Sequence, residues 1–375
     1  MNKKPIRVLQ IVHGSFFGPF IECARGYAAL FPEDKYNVTT VFLTGKENES
    51  VRSRITNGEV IFLEFESKDL RGLKLNIIKK LNKVLAGREF QLCIAHRSKP
   101  TYIALFGTRL PVISVHHSFG DYKRPAKRWL LHLFSSRVTL FGVSNAIRDD
   151  LRSSFPRWPK NKIETLYNRI NKQEIIKSQF TRKQAREHLE LDDNTWVIAN
   201  VARLVPFKDQ ATLIRGFAKA LTGLPDNCVL LIIGNGRLET ELKELTSSLG
   251  IKNNVRFIGY LAQAYRYFTA FDNFVLTSLN EPFGLVLLEA MAAGNPIICS
   301  DSGGAPEVIN HQGKLFPPSD VEALSKCLIE ESTEKHEVNF TEQILNHLDA
   351  NFSDKAASNT FWNLEAVKQI FNQNT

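Results

Sequence analysis

Residues 274–299 read FVLTSLNEPFGLVLLEAMAAGNPIIC. An apolar run, Phe274–Thr277, gives way to a short polar link, then to an apolar stretch over Gly284–Ala293, then to a second run, Pro296–Cys299. Pro282 suits the first turn of a helix, where no amide hydrogen is needed. Gly294 suits the end of one. The segment therefore reads as strand, helix, strand. Such a unit builds a parallel sheet through a right-handed crossover, and nearly continuous apolar strands are covered on both faces.

The same rhythm extends outward to both ends of the chain. Earlier strands are predicted at Ile6–Val12, Tyr36–Leu43, Val60–Phe65, Phe90–Ala95, Val112–Val115 and Val138–Val143, with a short one at Ile163–Leu166. Later ones fall at Trp196–Val201, Val229–Ile233 and Val255–Ile258. Helical patterns lie between them, including Leu70–Leu85, Ala146–Phe155, Gln210–Leu221 and Glu239–Leu249. The rhythm lapses over the polar stretch Asn168–Arg182 and restarts at Trp196, which places a linker there. The expected domains are 1–170 and 183–351, both α/β and doubly wound. Residues 352–375 read as a single amphipathic helix carrying Phe361, Trp362, Val367 and Phe371, too apolar to stay undocked. Ligands of such sheets bind outside the carboxyl ends of the strands, so a cleft between two such domains is the expected site.

Composition agrees with this organisation. The 375 residues are 43% apolar and 23% charged, which suits two domains of ~150–190 residues. No apolar run approaches the ~20 residues that cross a bilayer. Met1–Pro5 followed by Ile6–Val12 reads as a first strand and not as a signal peptide. The five cysteines lie singly, which excludes a zinc ribbon or a disulfide framework and suits a reducing cytoplasm. The net charge of +9 is uneven: the first 170 residues carry +15 and the remainder −6. The first half is expected to face an anionic partner, for which nucleic acid, a membrane surface or a phosphorylated glycan all qualify.

The opening segment also carries chemistry. Amides of Phe283, Gly284 and Leu285 at a helix start can bind an anion or hydroxyl oxygens. Glu281 lies just before that helix. Glu289 lies inside it, and its side chain leans back toward the same end.

Residues 279–294, Leu-Asn-Glu-Pro-Phe-Gly through Gly294, resemble the E-x7-E signature of retaining glycosyltransferases of family four, which have the GT-B fold. Asn200–Asp209 is similar to the family's G-R-L-x-x-x-K-G motif, Ile232–Gly236 to its I-x-G-x-G turn, and Val255–Tyr260 to its V-x-F-x-G strand. Ser300–Glu307 resembles the glycine-rich loop after the next strand, and Gly142–Ser144 and Tyr167-Asn168 resemble markers at the end of the first domain. The resemblance implies two Rossmann-like domains facing across a cleft, with the C-terminal helix crossing back to the first.

It further implies roles. Arg203 and Lys208 hold the diphosphate of a nucleotide-sugar donor and neutralise the leaving group. Glu289 meets the ribose. Glu281 meets the donor sugar, helped by the backbone of Phe283, Gly284, Leu285 and Val286. Ile258 lies near the base, and Gly234, Gly303 and Gly304 permit close approach of the backbone. Glu307 either joins these or caps a helix. His116 matches the family's strand-end histidine that faces the donor sugar. His117 stands where the family commonly has Asp, and its role is open. Gly14 and Ser15 belong to a glycine-bearing loop that here lacks the usual Gly-Gly pair and carries Phe16, Phe17 and Phe20, which points to an altered acceptor pocket.

The expected activity is retaining transfer of a hexose to a lipopolysaccharide or other lipid-linked or cell-surface glycan. The expected place is the cytoplasm, on the inner face of the plasma membrane. No Asp-x-Asp motif occurs, so neither a metal nor another cofactor is expected. The basic stretches 70–85 and 122–131 could touch lipid head groups or phosphorylated glycan. Two alternatives stand beside this reading: a basic nucleic-acid-binding protein, although no nucleic-acid signature is present, and a GT-B nucleotide-sugar epimerase.

Overall fold

The computed structural model describes residues 5–15, 19–55 and 57–372. The residues before Pro5 and the Phe16–Gly18 part of the first loop lie outside the described residues. Packing divides the chain into two units: Met1–Arg169 with Asp354–Thr375, and Ile170–Ser353.

The first unit contains strands β1 (Ile6–Gly14), β2 (Tyr36–Thr44), β3 (Glu59–Phe65), β4 (Leu92–His96), β5 (Val112–His116), β6 (Val138–Gly142) and β7 (Ile163–Thr165). They pair in the order 3-2-1-4-5-6-7, and every pairing is parallel. All five positions of β4, β5 and β6 are buried, which is why these strands carry no apolar–polar alternation. A buried polar side chain in such a strand must find partners. Gln10 does so by donating to Ala24 O at 3.0 Å and Thr40 Oγ1 at 3.1 Å.

The second unit contains β8 (Trp196–Val201), β9 (Cys228–Ile233), β10 (Val255–Gly259), β11 (Asn273–Leu276), β12 (Ile297–Ser300) and β13 (Lys314–Phe316). Their order is 10-9-8-11-12-13, again wholly parallel. Its core gathers Ile198, Leu213, Phe217, Leu230, Ile232, Phe316 and Leu324. Helices Gln210–Ala220 and Val321–Thr333 approach closely here: a Cβ on Gly216 would lie 2.8 Å from Leu324. Both sheets reverse strand order beside their first strand, as doubly wound sheets do.

Several details depart from the expectations. The helix predicted from Leu70 begins at Leu75, because the chain turns at Gly72 and Lys74 in left-handed conformations. Strand β13 was unforeseen; three residues offer too little pattern to read. The polar stretch Asn168–Arg182 is not a bare linker but holds the helix Lys172–Ser178, started by the Asn171 side chain. The tail is two helices, Asp354–Asn363 and Glu365–Asn372.

These two helices complete the first unit. Phe361 packs edge-on against Phe31 at 5.4 Å, Phe371 meets Tyr36 at 5.7 Å, and the Trp362 indole donates to Leu30 O at 2.9 Å. Asp354, the first residue to return, accepts from Arg169 Nε at 2.8 Å and from Arg25 Nη1 at 2.9 Å. Arg169 is itself buried and also donates to Gly26 O. Burial alone would raise the Asp354 pKa, but the bonds and charges of Arg25 and Arg169 outweigh it and hold the carboxyl below its ordinary value.

Asp354→Ala would leave the buried Arg169 without its carboxylate and Arg25 with Glu22 alone. We expect a loss of about 2 kcal/mol by urea unfolding, below the ~3–5 kcal/mol of a fully buried pair because Asp354 is partly exposed. The depressed pKa makes this contribution complete at neutral pH and lost as acid protonates the folded carboxylate. The wild-type and Asp354→Ala stabilities should therefore converge below the ordinary carboxylate range, and parallel curves down to that range would refute the assignment.

Candidate active site

The loops that leave β8 and β11 are tied together. Leu279 N donates to Phe207 O at 2.9 Å, and Thr277 Oγ1 donates to Lys208 O at 2.9 Å. This brings Lys208 Nζ to 2.5 Å from Glu281 Oε2. Ser278 Oγ donates to the same carboxylate oxygen at 2.8 Å. Glu281 is buried, and a buried carboxylate without such donors would be strongly disfavoured.

The loop after β12 braces this pair from behind. Ser300 Oγ and Ser302 Oγ both donate to Ser278 O, at 2.5 and 2.6 Å, and Gly304 N donates to Glu281 O at 2.7 Å. Gly303 sits at φ 59, and a Cβ there would lie 2.1 Å from Glu281 O. Only glycine lets the two loops meet this closely.

Arg203 lies on the same β8 loop. Its guanidinium stands 5.7 Å from the Phe207 ring centre, and Lys208 Nζ stands 5.4 Å from it, so one ring carries both cations. Gln210 fixes the Arg203 backbone by donating to its carbonyl at 3.0 Å. The Arg203 side chain is exposed and forms no ion pair among the described residues.

Gly234 follows β9 and accepts a close approach from the β8 loop: a Cβ on it would lie 2.0 Å from Ala202 O. Its amide donates to Gly259 O at 2.8 Å, beside half-buried Ile258. The helix Leu285–Ala292 starts from Gly284 at φ 94, with no side-chain cap. Its first amides therefore have no partner inside the helix. The Phe283 side chain is buried against Phe352 at 5.7 Å, so only its backbone suits a ligand contact. Leu285, Val286 and Glu289 are half-buried on this helix, and Glu307 lies on the helix Ala305–Ile309.

The structure thus joins Arg203, Lys208 and Glu281 on linked loops at the carboxyl edge of the second sheet, with the Gly234 and Ile258 turns alongside. The hydroxyls of Thr277, Ser278, Ser300 and Ser302 were not singled out from the sequence, although their clustering just after two strands was a usable signal.

The first-unit residues differ more from expectation. His116 is fully buried, with both ring nitrogens near polar partners. Its Nδ1 lies 2.7 Å from Asp121 Oδ2, and its Nε2 lies 2.8 Å from Ser114 Oγ. Burial would raise the Asp121 pKa, but the bond and charge of His116, with Lys127 and Arg97, hold it below its ordinary value. Half-buried His117 lies within a polar chain, its Nε2 3.2 Å from His96 Nδ1 and its Nδ1 3.8 Å from Cys23 Sγ. Gln10 commits its amide hydrogens elsewhere, so its oxygen accepts from His96 Nε2 at 3.4 Å. That leaves His96 Nδ1 to accept from His117. Burial, with Arg97, lowers the His96 pKa to about 3, and burial also pushes His117 well below its ordinary value. Both rings are neutral at neutral pH. Gly14 pairs with Thr44, and buried Ser15 donates to Lys46 O at 3.4 Å. Phe16 and Phe17 lie outside the described residues, and Phe20, in the helix Pro19–Ala28, has the Arg97 guanidinium 4.4 Å from its ring centre.

Residues 181–344 match the model of the family described as glycosyl transferases group 1. A GDP-mannose-dependent monoacylated alpha-(1-6)-phosphatidylinositol monomannoside mannosyltransferase of Corynebacterium glutamicum is 32% identical over 60% of this chain and 61% of its own. The lipopolysaccharide core biosynthesis glycosyltransferase LpsD of Rhizobium meliloti is 34% identical over 37% of this chain and 40% of its own. The chain spans about half the length of the curated relatives it matches. Anabaena Alr3699/HepE, solved in complex with UDP and glucose, aligns over 95% of this chain and 98% of its own with a TM-score of 0.73 at 20% identity, a likeness of fold. Residues 181–344 are therefore similar to the glycosyl transferases group 1 family, within a chain of the GT-B fold.

Proposed function

We propose that the chain is a retaining, metal-independent glycosyltransferase that moves a hexose from a nucleoside diphosphate to a hydroxyl of a lipopolysaccharide or other lipid-linked glycan. The observation that carries this reading is the Lys208–Glu281 pair, held beside Arg203 inside the segment that matches the family. An ammonium group has three donors. Glu281 uses one and aims the others, leaving Lys208 able to meet phosphate oxygens without being an isolated buried charge. Arg203 adds a second cation. Together they stabilise the departing diphosphate as the bond from the anomeric carbon to oxygen breaks. The acceptor oxygen attacks from the same face, and its proton passes to a phosphate oxygen of the leaving group. Glu281 and the Phe283–Val286 backbone hold the sugar, Glu289 the ribose, and Ile258 the base.

The acceptor class rests on the first unit and on what its relatives act upon. Leu73 and Leu75 are exposed by 67 and 65%, and Trp129 and Leu133, one turn apart on the helix that begins at Pro125, by 66 and 58%. Between them Lys74 lies 4.4 Å from the Tyr102 ring centre, Tyr102 packs tilted on Phe106 at 4.5 Å, and Phe106 meets Phe134 at 5.2 Å. Lys74 has its pKa lowered by burial and by the nearby charges of Lys99 and Lys127. Exposed apolar side chains among crowded cations suit an anionic membrane surface. No helix among the described residues is long and apolar enough to cross a membrane. The relatives named for a phosphatidylinositol acceptor and for lipopolysaccharide core support the same class.

Arg203→Ala, Lys208→Ala and Glu281→Ala should each lower sugar transfer by at least ~100-fold through lost transition-state stabilisation. The donor is found first by a thermal-shift screen of nucleoside-diphosphate sugars, since a bound donor raises the melting temperature. Rates near wild type in all three variants would refute the site. Separately, Trp129→Ser with Leu133→Ser should weaken binding to vesicles containing phosphatidylglycerol about tenfold or more. Unchanged co-sedimentation would remove this surface from the account.

A further inference from the structure

The amino-terminal edge of the first sheet carries an arrangement that glycosyl transfer does not use. Five adjacent strands, β1, β4, β5, β6 and β7, each have one cation at or near their entry: Arg7, Arg88, Arg109, Arg137 and Lys162. All five line one cavity of 1130 Å³, which the helix Glu365–Asn372 borders through Ala366, Gln369 and Ile370. Glu89 is the sole carboxylate among the lining residues.

Helix carboxyl ends gather at this edge of a parallel sheet, so some positive charge there offsets their carbonyls. Arg137 serves that purpose, donating to Thr108 O at 2.9 Å and Leu105 O at 2.8 Å. Arg88 is paired with Glu59. Arg7 and Arg109 do neither: both are exposed, and no hydrogen bond or ion pair holds their side chains among the described residues. Lys162 has only a 3.4 Å bond to Ser136 O. Burial, and then the charge of Arg109, lower the Arg137 pKa, and burial lowers that of Lys162. Three cations thus share a cavity with their hydrogen-bonding capacity largely unspent.

Strands lie ~4.8 Å apart, so a row across five of them extends about 19 Å. A single phosphate cannot reach from one end to the other, whereas the cavity has the size of sites that take nucleotide-sized ligands. We propose that this cavity is a second binding site, for an extended small polyanion bearing two or more phosphate groups. Arg7 and Arg109 take the phosphates by charge-assisted hydrogen bonds, Lys162 adds the third contact, and Arg137 forms a fixed positive floor. The site is built entirely within the first unit, and it does not depend on the assignment of the donor site.

Isothermal calorimetry of the full chain with inorganic tripolyphosphate tests this. Wild type should bind, Lys208→Ala should retain the binding that the donor site does not supply, and adding the double variant Arg7→Gln/Arg109→Gln to it should weaken that binding at least about tenfold. Equal melting temperatures of the ligand-free proteins would show that the double variant is folded. Absence of binding by wild type, loss in Lys208→Ala with none in the double variant, or equally tight binding of inorganic sulfate would each overturn the proposal. A lipid head group is the other source of phosphate. If phosphatidylglycerol vesicles lose binding in the double variant while tripolyphosphate never binds, the cations serve a membrane and the proposal is overturned.

Discussion

A carboxylate shared by two arginines decides how this chain is organised. Asp354 meets Arg169 where the chain leaves the first unit and returns to it, and Arg25 completes the contact. Burying guanidinium groups is costly unless a counter-charge and hydrogen bonds accompany them. Arg169 has both, and the return of the chain is thereby fixed to one place on the first unit. The aromatic packing of Phe361, Trp362 and Phe371 on Phe31 and Tyr36 follows from that placement. An unpaired Arg169 at that position would be the worst alternative, which is what makes the arrangement specific.

The second unit applies the same economy at its strand ends. Lys208 and Glu281 neutralise each other, Ser278 donates to the same carboxylate oxygen, and Ser300 and Ser302 donate in turn to the Ser278 carbonyl. Glycines stand where the loops touch backbone to backbone, at Gly234 against Ala202 and at Gly303 against Glu281. The result is a rigid set of charges at a sheet edge, prepared before any ligand arrives. Preorganisation of this kind is what electrostatic catalysis requires.

Much of this was legible in the residues. Continuous apolar runs such as Val138–Val143 and Val229–Ile233 announced buried parallel strands, and the helix-start residues from Glu281 to Gly284 placed the site at the end of a strand. The less legible parts share a physical reason: they depend on partners remote in sequence. His116 looked accessible because it ends a strand, yet Asp121 and Ser114 enclose it. Leu73 fits the helical spacing with Leu70 and Ile77, but positive φ at Gly72 and Lys74 ends that register and turns it outward. The break at Leu364, which divides the tail into two helices, carries no proline or glycine to announce it. The charge excess of the first half was plain in composition, but its division between an amphiphilic outer surface and a row of strand-entry cations required the fold.

Because the first unit is closed by residues from the far end of the chain, its assembly has an order imposed by synthesis. The ribosome delivers β1 to β7 early, and then the whole of the second unit, before Phe361 and Trp362 emerge. During that interval Phe31 and Tyr36 lack their aromatic cover, and Arg169 lacks its carboxylate. Nascent chains in this state expose the kind of surface that chaperones recognise. The second unit, contiguous in sequence, has all its residues before the first unit has its last.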